Sequence, residues 1–228
     1  MQTVEYSIPV GEETLACSVD YADGERTPSV ICLHGGGPSG RHSTSYLATA
    51  LQARGRSVIR FDFSGHGDST GVIAESSLKK RFQEARAVLA HFGLGDGTSV
   101  IGTSMGGHIA CALASEMSPD SLVFFGPAAY SARAWDIAFG SGFTEIIRGE
   151  NSFLDSNVGD LLQSFGGRAL FVIGERDEII PEQVVALYKQ ALSHCSSLEV
   201  YTIAGCPHPI HQWVQSHPAV RRRVVEKV

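Results

Sequence analysis

Five short apolar runs constrain this chain more than any other feature: SVICLH, SVIRFD, TSVIGT, SLVFFG and ALFVIG. Each is rich in Val and Ile and almost continuously apolar, the pattern of a strand covered on both faces, as in a parallel sheet. Helix-length stretches alternate with them. SYLATALQARG and SSLKKRFQEARAVLAHFG space their apolar residues helically and stop at Gly; MGGHIACALASEM follows, and PEQVVALYKQALSH opens with Pro181 at a first helical position. Ahead of them, VEYSIPV and LACSVDY alternate polar and apolar residues around GEE, as an antiparallel hairpin does. A last strand, SLEVYTI, leads to a terminal helix within HQWVQSHPAVRRRVVEKV, with Pro218 as a point of interruption. The expected fold class is α/β, a mostly parallel doubly wound sheet entered through antiparallel strands.

With 228 residues, 43% hydrophobic and 18% charged, the chain suits a single domain, 1–228, with a large core. One connection breaks the strand–helix rhythm: about forty residues, 127–166, separate SLVFFG from ALFVIG without a strand, and connections this long are usually functional. A net charge of −6 argues against a nucleic-acid partner. No run approaches the roughly 20 apolar residues of a spanning helix, so no membrane partner is expected. The start MQTVEYSIPVGEET has neither a basic nor an apolar segment of the secretory kind. Five scattered cysteines, an odd number, read as reduced thiols of a cytoplasmic protein.

Three motifs carry chemistry. HGGGPSGRHS, residues 34–43, nearly spells a phosphate-binding loop, but Arg41 and His42 stand where Lys and Ser or Thr would grip phosphate and magnesium. GTSMGG, residues 102–107, follows a buried run and opens an apolar helix, the strand–turn–helix setting of a nucleophile elbow. Ser104 would then be the nucleophile, and the Met105 N–H would face a developing oxyanion from a helix N-terminus. Gly102 and Gly106 leave room for the turn.

A serine needs a base and the base an orienting acid. GERDEIIP offers Glu175, Asp177 and Glu178 past a strand end; Asp177, mid-loop before Pro181, is preferred, and Glu175 would pair with Arg176 or lie in solvent. CPHPIH offers His208 in the loop after the last strand, ahead of His211, which falls on the following helix. Cys206, His208 and His211 match no common zinc spacing, so neither metal nor cofactor is expected.

HGGG, FDFSGHGDS, GTSMGG, GERDEIIP and AGCPH occur in the order found in α/β-hydrolases, and the chain resembles that superfamily over nearly its whole length, in particular its cinnamoyl-esterase and monoacylglycerol-lipase-like members. The resemblance implies an eight-stranded sheet with antiparallel first strands and a small helical cap inserted after the sixth strand. It implies Ser104, Asp177 and His208 as catalytic residues, Gly36 and Met105 as oxyanion-hole donors, and structural roles for Asp62 and His66. The expected function is a serine hydrolase that cleaves a small carboxylic ester, acting as monomer or homodimer. A thioesterase, a peptidase or amidase, and a non-catalytic receptor of the same fold are the alternatives. Gly37 and the cap residues Tyr130, Trp135, Phe139 and Phe143 are candidates for the substrate pocket; the same aromatics would equally serve to hold the cap on the core.

Overall fold

The computed structural model describes residues 2–228. Strands β1 (Gln2–Val10) and β2 (Glu13–Tyr21) form the expected hairpin, turning at Gly11 with φ +62°. Six further strands follow: β3 (Val30–Leu33), β4 (Val58–Phe61), β5 (Ser99–Thr103), β6 (Ser121–Phe125), β7 (Arg168–Gly174) and β8 (Ser197–Ile203). They make one eight-stranded sheet in the order β1-β2-β4-β3-β5-β6-β7-β8, antiparallel between β1, β2 and β4 and parallel from β4 onward.

Alternation along each buried strand feeds two cores, because successive side chains point to opposite faces. Ile31, Leu33, Val100, Leu122, Phe124 and Phe171 join one cluster with helices α2 (Leu78–His91), α3 (Met105–Ala114) and α6 (Glu182–Ala191). Val30, Ile101, Val123, Phe125 and Val172 join the other with α1 (Ser45–Gln52), α7 (Ile210–Ser216) and α8 (Pro218–Lys227). The terminal helix breaks at His217, directly before Pro218. Arg60, the one charge inside the apolar run of β4, is buried because Asp20 on the adjoining β2 takes its Nε at 2.8 Å. Among the described residues no helix is long and apolar enough to cross a membrane.

The long connection divides in two. An antiparallel bridge between Ser131 and Ser156 closes the base of a lobe that holds α4 (Thr144–Ile147). Beyond the lobe, α5 (Val158–Leu162) buries Val158 and Leu162 in the α2–α3–α6 core and so packs with the main body. The lobe itself lies on the N-terminal part of α2: the Lys79 N–H donates to the Trp135 carbonyl (3.0 Å) and the Phe139 N–H to the Ser76 carbonyl (2.8 Å).

Candidate active site

Every residue of the candidate site sits at the carboxyl end of a parallel strand, the rim where loops of an open α/β sheet converge. β5 runs straight into α3, and the single residue between them, Ser104, takes φ +50° and ψ −114°. Such a backbone costs about 1–3 kcal/mol and persists only where its surroundings enforce it. Three hydrogen bonds do so: Ser104 N–H to the Phe125 carbonyl (2.9 Å), and Gly107 and Ala128 N–H groups to the Ser104 carbonyl (2.9 and 3.0 Å). The turn also requires its glycines. A Cβ on Gly102 would stand 2.6 Å from the Gly106 carbonyl oxygen, and one on Gly106 would run into the Leu33 carbonyl.

The Ser104 hydroxyl meets His208 Nε2 at 3.1 Å, and His208 Nδ1 meets Asp177 Oδ2 at 2.8 Å. His208 stands in the loop after β8, Asp177 in the turn after β7. The other Asp177 oxygen accepts the N–H groups of Ile179 and Ile180 at 2.9 and 3.0 Å. Burial pushes this carboxyl up, but the His208 hydrogen bond and charge and the two amides outweigh it and hold it below the ordinary carboxylate range. Glu175 is exposed, as the solvent alternative expects, and it also accepts the Gly205 N–H at 2.7 Å and so ties the β7 and β8 loops together.

His211 belongs to a different network. Buried on α7, it bridges Thr103 Oγ1 (2.7 Å) and the Tyr46 hydroxyl (3.0 Å), and burial lowers it to about 4, so it is neutral. Cys206 Sγ turns to its neighbour's carbonyl, and among the described residues no group of His, Cys, Asp and Glu is arranged to hold a metal.

The Gly-rich loop passes over the elbow: a Cβ on Gly35 would lie 3.3 Å from Ser104 Cβ, and one on Gly36 would lie 3.1 Å from Met105 Cε. The Gly36 N–H has no partner in the described chain, and Met105, first residue of α3, has none available inside the helix. His34 fixes the loop from below, its Nδ1–H donating to the Gly35 carbonyl (2.7 Å) and its Nε2 accepting the Phe63 N–H (3.0 Å). Burial and the Arg81 charge keep His34 well below the ordinary histidine range, so this neutral tautomer holds. Arg41 is committed inward, paired with Asp62 and with Asp68 at 2.6 Å, which leaves it no charge to offer a phosphate.

A groove of about 720 Å³ opens over Ser104, bordered by Gly36, Ser39, Ser43, His208 and Gln212. Gly37, exposed on the loop, and the aromatics Tyr130, Trp135, Phe139 and Phe143 do not border it. Those aromatics pack inward instead: Trp135 on Phe82 (5.7 Å between centroids), Tyr130 and Phe139 on Phe143 (5.6 and 4.6 Å).

The family profile described as "alpha/beta hydrolase fold" matches residues 28–143, from the strand before the glycine loop into the lobe. The chain belongs to the α/β-hydrolase family. Solved structures agree on the hydrolase's fold over its whole length. Est1E from Butyrivibrio proteoclasticus with ferulic acid bound is 20% identical, covering 97% of this chain and 98% of that one, with a TM-score of 0.72. An alpha-beta serine hydrolase homologue from Coxiella burnetii is 20% identical, covering 98% of each chain, TM-score 0.68. A thioesterase domain from the curacin biosynthetic pathway is 16% identical, covering 99% of each chain, TM-score 0.71. No curated protein matches the sequence.

Sequence reasoning missed Gly126 and the His211 network. Gly126, at φ +50° after β6, lies where a Cβ would come within 3.2 Å of Asp177 Oδ2, so a side chain there would be strained and would press on the acid. A glycine at the end of an apolar strand, followed by Pro127, was the available signal.

Proposed function

We propose that this hydrolase is a serine esterase acting on a small carboxylic ester, with Ser104 as nucleophile, His208 as base and Asp177 as orienting acid. The observation that carries the reading is the continuous relay from Ser104 Oγ through both His208 nitrogens to Asp177, beside two N–H groups free to bind an oxyanion. The Asp177 carboxylate accepts from Nδ1–H, which leaves Nε2 with a lone pair facing the Ser104 hydroxyl. As Oγ attacks the acyl carbon, Nε2 takes its proton and the Asp177 charge stabilises the imidazolium. The Gly36 and Met105 amides receive the developing oxyanion, each such donor being worth about 3 kcal/mol in comparable sites.

The imidazolium then protonates the leaving oxygen, and the same His208 activates the water that hydrolyses the acyl-enzyme. The open groove runs past His208 and Gln212, so the leaving alcohol departs there. Its hydroxyl and amide lining suits a polar alcohol and also admits a thiol; thioesters and amides are therefore arms of the test.

The decisive experiment is labelling with a fluorophosphonate. The wild-type protein is expected to label and Ser104→Ala to remain unlabelled, while p-nitrophenyl esters of graded chain length give a length optimum. A wild-type protein that neither labels nor cleaves any ester, thioester or proline amide refutes the assignment and leaves the receptor reading.

A further inference from the structure

Arg81 is the most anomalous side chain in the molecule. It lies on α2, only 1% exposed, with Nε and Nη1 lacking any hydrogen-bond partner among the described residues. Nη2 reaches only the ring of His66, 3.2 Å from Nδ1. The guanidinium lies over the rings of Phe63 (4.8 Å) and Phe139 (5.1 Å). The acid facing it is Glu84, one turn further along α2, but both Glu84 oxygens are taken by the Ser64 N–H (3.2 Å) and hydroxyl (2.5 Å). Burial moreover pushes the Glu84 carboxyl up, which weakens it as a counter-charge. A buried guanidinium without a hydrogen-bonded anion is among the costliest arrangements a fold can carry, and aromatic faces offset only part of that.

Its position gives the cost a use. His66 stands between Arg81 and the glycine loop, its ring beside the Gly37 carbonyl and 4.9 Å from the His34 ring, with Nδ1 3.4 Å from the Ser64 carbonyl. Arg81 thus lies one side chain behind the oxyanion loop, on the side under the lobe. Its cover is Phe139, at the head of a turn that leaves helical geometry at Ser141 and Gly142, the latter at φ +91°. A second orphan sits beneath the same cover: Ser76 Oγ is buried without a partner, while its carbonyl holds the Phe139 N–H. With the leaving alcohol assigned to the His208 side of Ser104, the acyl part is assigned to the opposite side, toward the lobe.

We propose that Arg81 recognises a carboxylate at the far end of the acyl chain, reached when the Phe139 turn lifts, so that half-esters of dicarboxylic acids are the preferred substrates. The inference rests on Ser104 being the nucleophile. A carboxylate seated on the Nη1–Nη2 edge would satisfy Nη1 and set an anion against the guanidinium, which no other group in the described chain does by hydrogen bond. Displacing Phe139 exchanges an aromatic contact for an ion pair shielded from water.

The test compares kcat/KM for p-nitrophenyl hydrogen succinate, glutarate and adipate with neutral branched esters of matching length, 5-methylhexanoate matching glutarate. The wild-type protein is expected to prefer the half-ester by about tenfold or more at one chain length, a factor within the reach of a buried charge-assisted pair. In Arg81→Met that ratio falls to near one; in Arg81→Lys part of it remains. Cleavage of the neutral esters with no half-ester preference at any length overturns the proposal while leaving the esterase standing. So does a loss in Arg81→Met that is equal for both substrate types, the mark of a structural role. If Arg81→Met does not fold, the wild-type ratios decide alone. Failure to cleave either type, together with absent fluorophosphonate labelling, removes the esterase reading and the proposal with it.

Discussion

Replacing Asp177 by Asn tests the relay at its least redundant point, because shape and volume are kept while the charge is removed. Three donors converge on this carboxylate: His208 Nδ1 and the N–H groups of Ile179 and Ile180. An amide oxygen can keep the two backbone amides, at a cost of about 1 kcal/mol for the lost charge assistance. The amide nitrogen must then face His208 Nδ1 and, being a donor, forces the imidazole into the Nε2–H tautomer. That proton occupies the site where the Ser104 proton has to go. The tautomer fault therefore falls on kcat rather than on stability, and comparable triads lose about 10⁴-fold, equivalent to about 5.5 kcal/mol of barrier. The assay is burst and steady-state release of p-nitrophenol, with the fluorophosphonate labelling rate and a thermal melt in parallel. Glu175→Gln is the control: its amide oxygen still accepts the Gly205 N–H, so kcat should stay within about threefold. Refutation would be an Asp177→Asn protein within tenfold of wild type, or a larger loss in the Glu175 variant.

Two further outcomes follow from the geometry. Stability should fall as pH drops from 6.5 toward 4, because burial lowers His108 and His211 to about 4 while the unfolded chain protonates near 6.5. The native state then binds fewer protons, so stability present above pH 6.5 is lost below it, by about 3 kcal/mol per histidine at pH 4. Urea denaturation across that window measures it: His211→Gln should flatten the slope, and a curve level from pH 7 to 4.5 would contradict the burial argument. Separately, Gly102→Ala places a Cβ 2.6 Å from a carbonyl oxygen and 2.7 Å from Gly107 Cα, both backbone atoms that cannot rotate away. It should cost about 1–3 kcal/mol and slow Ser104 labelling, while Gly95→Ala, with open space around it, should do neither.

The sheet, the strained turn at Ser104 and the placement of His208 beside it were legible because each rests on local pattern. Apolar runs with period-two faces specify strands, and a serine between glycines at a strand end specifies one strained turn. What lay beyond reach depended on contacts across the fold. Glu175 is exposed, as its sequence suggests, but only the fold shows that the β8 loop brings the Gly205 amide to it. The lobe aromatics serve equally as pocket or as anchor in sequence, and only the tertiary packing turns them inward against Phe82 and Phe143. Arg81 is the instructive miss. In LKKRFQEARAVLAH the basic cluster looks like a solvated face, yet Leu78, Arg81, Phe82, Ala85, Val88 and Leu89 fall on one helical stripe, and all six are buried. A charge at an apolar-stripe position was visible without a structure.

The glycine loop shows why near-matches to a motif must be read through their charges. A phosphate cradle meets a fixed dianion with a free cation, whereas here each cation near the loop is turned away from it. Arg41 is committed to Asp62 and Asp68, Arg81 lies behind His66, and burial holds His34 and His66 toward the neutral form. What remains over Ser104 is backbone amide dipole from the loop and from the start of α3. In the proposed reaction these fixed dipoles would bind a charge that appears only as the acyl carbon becomes tetrahedral, and would hold the uncharged ground state weakly. A lysine at position 41 would restore the letter of the phosphate motif, yet Asp62 and Asp68 would still face its cation, so the surroundings of the loop decide which anion it serves.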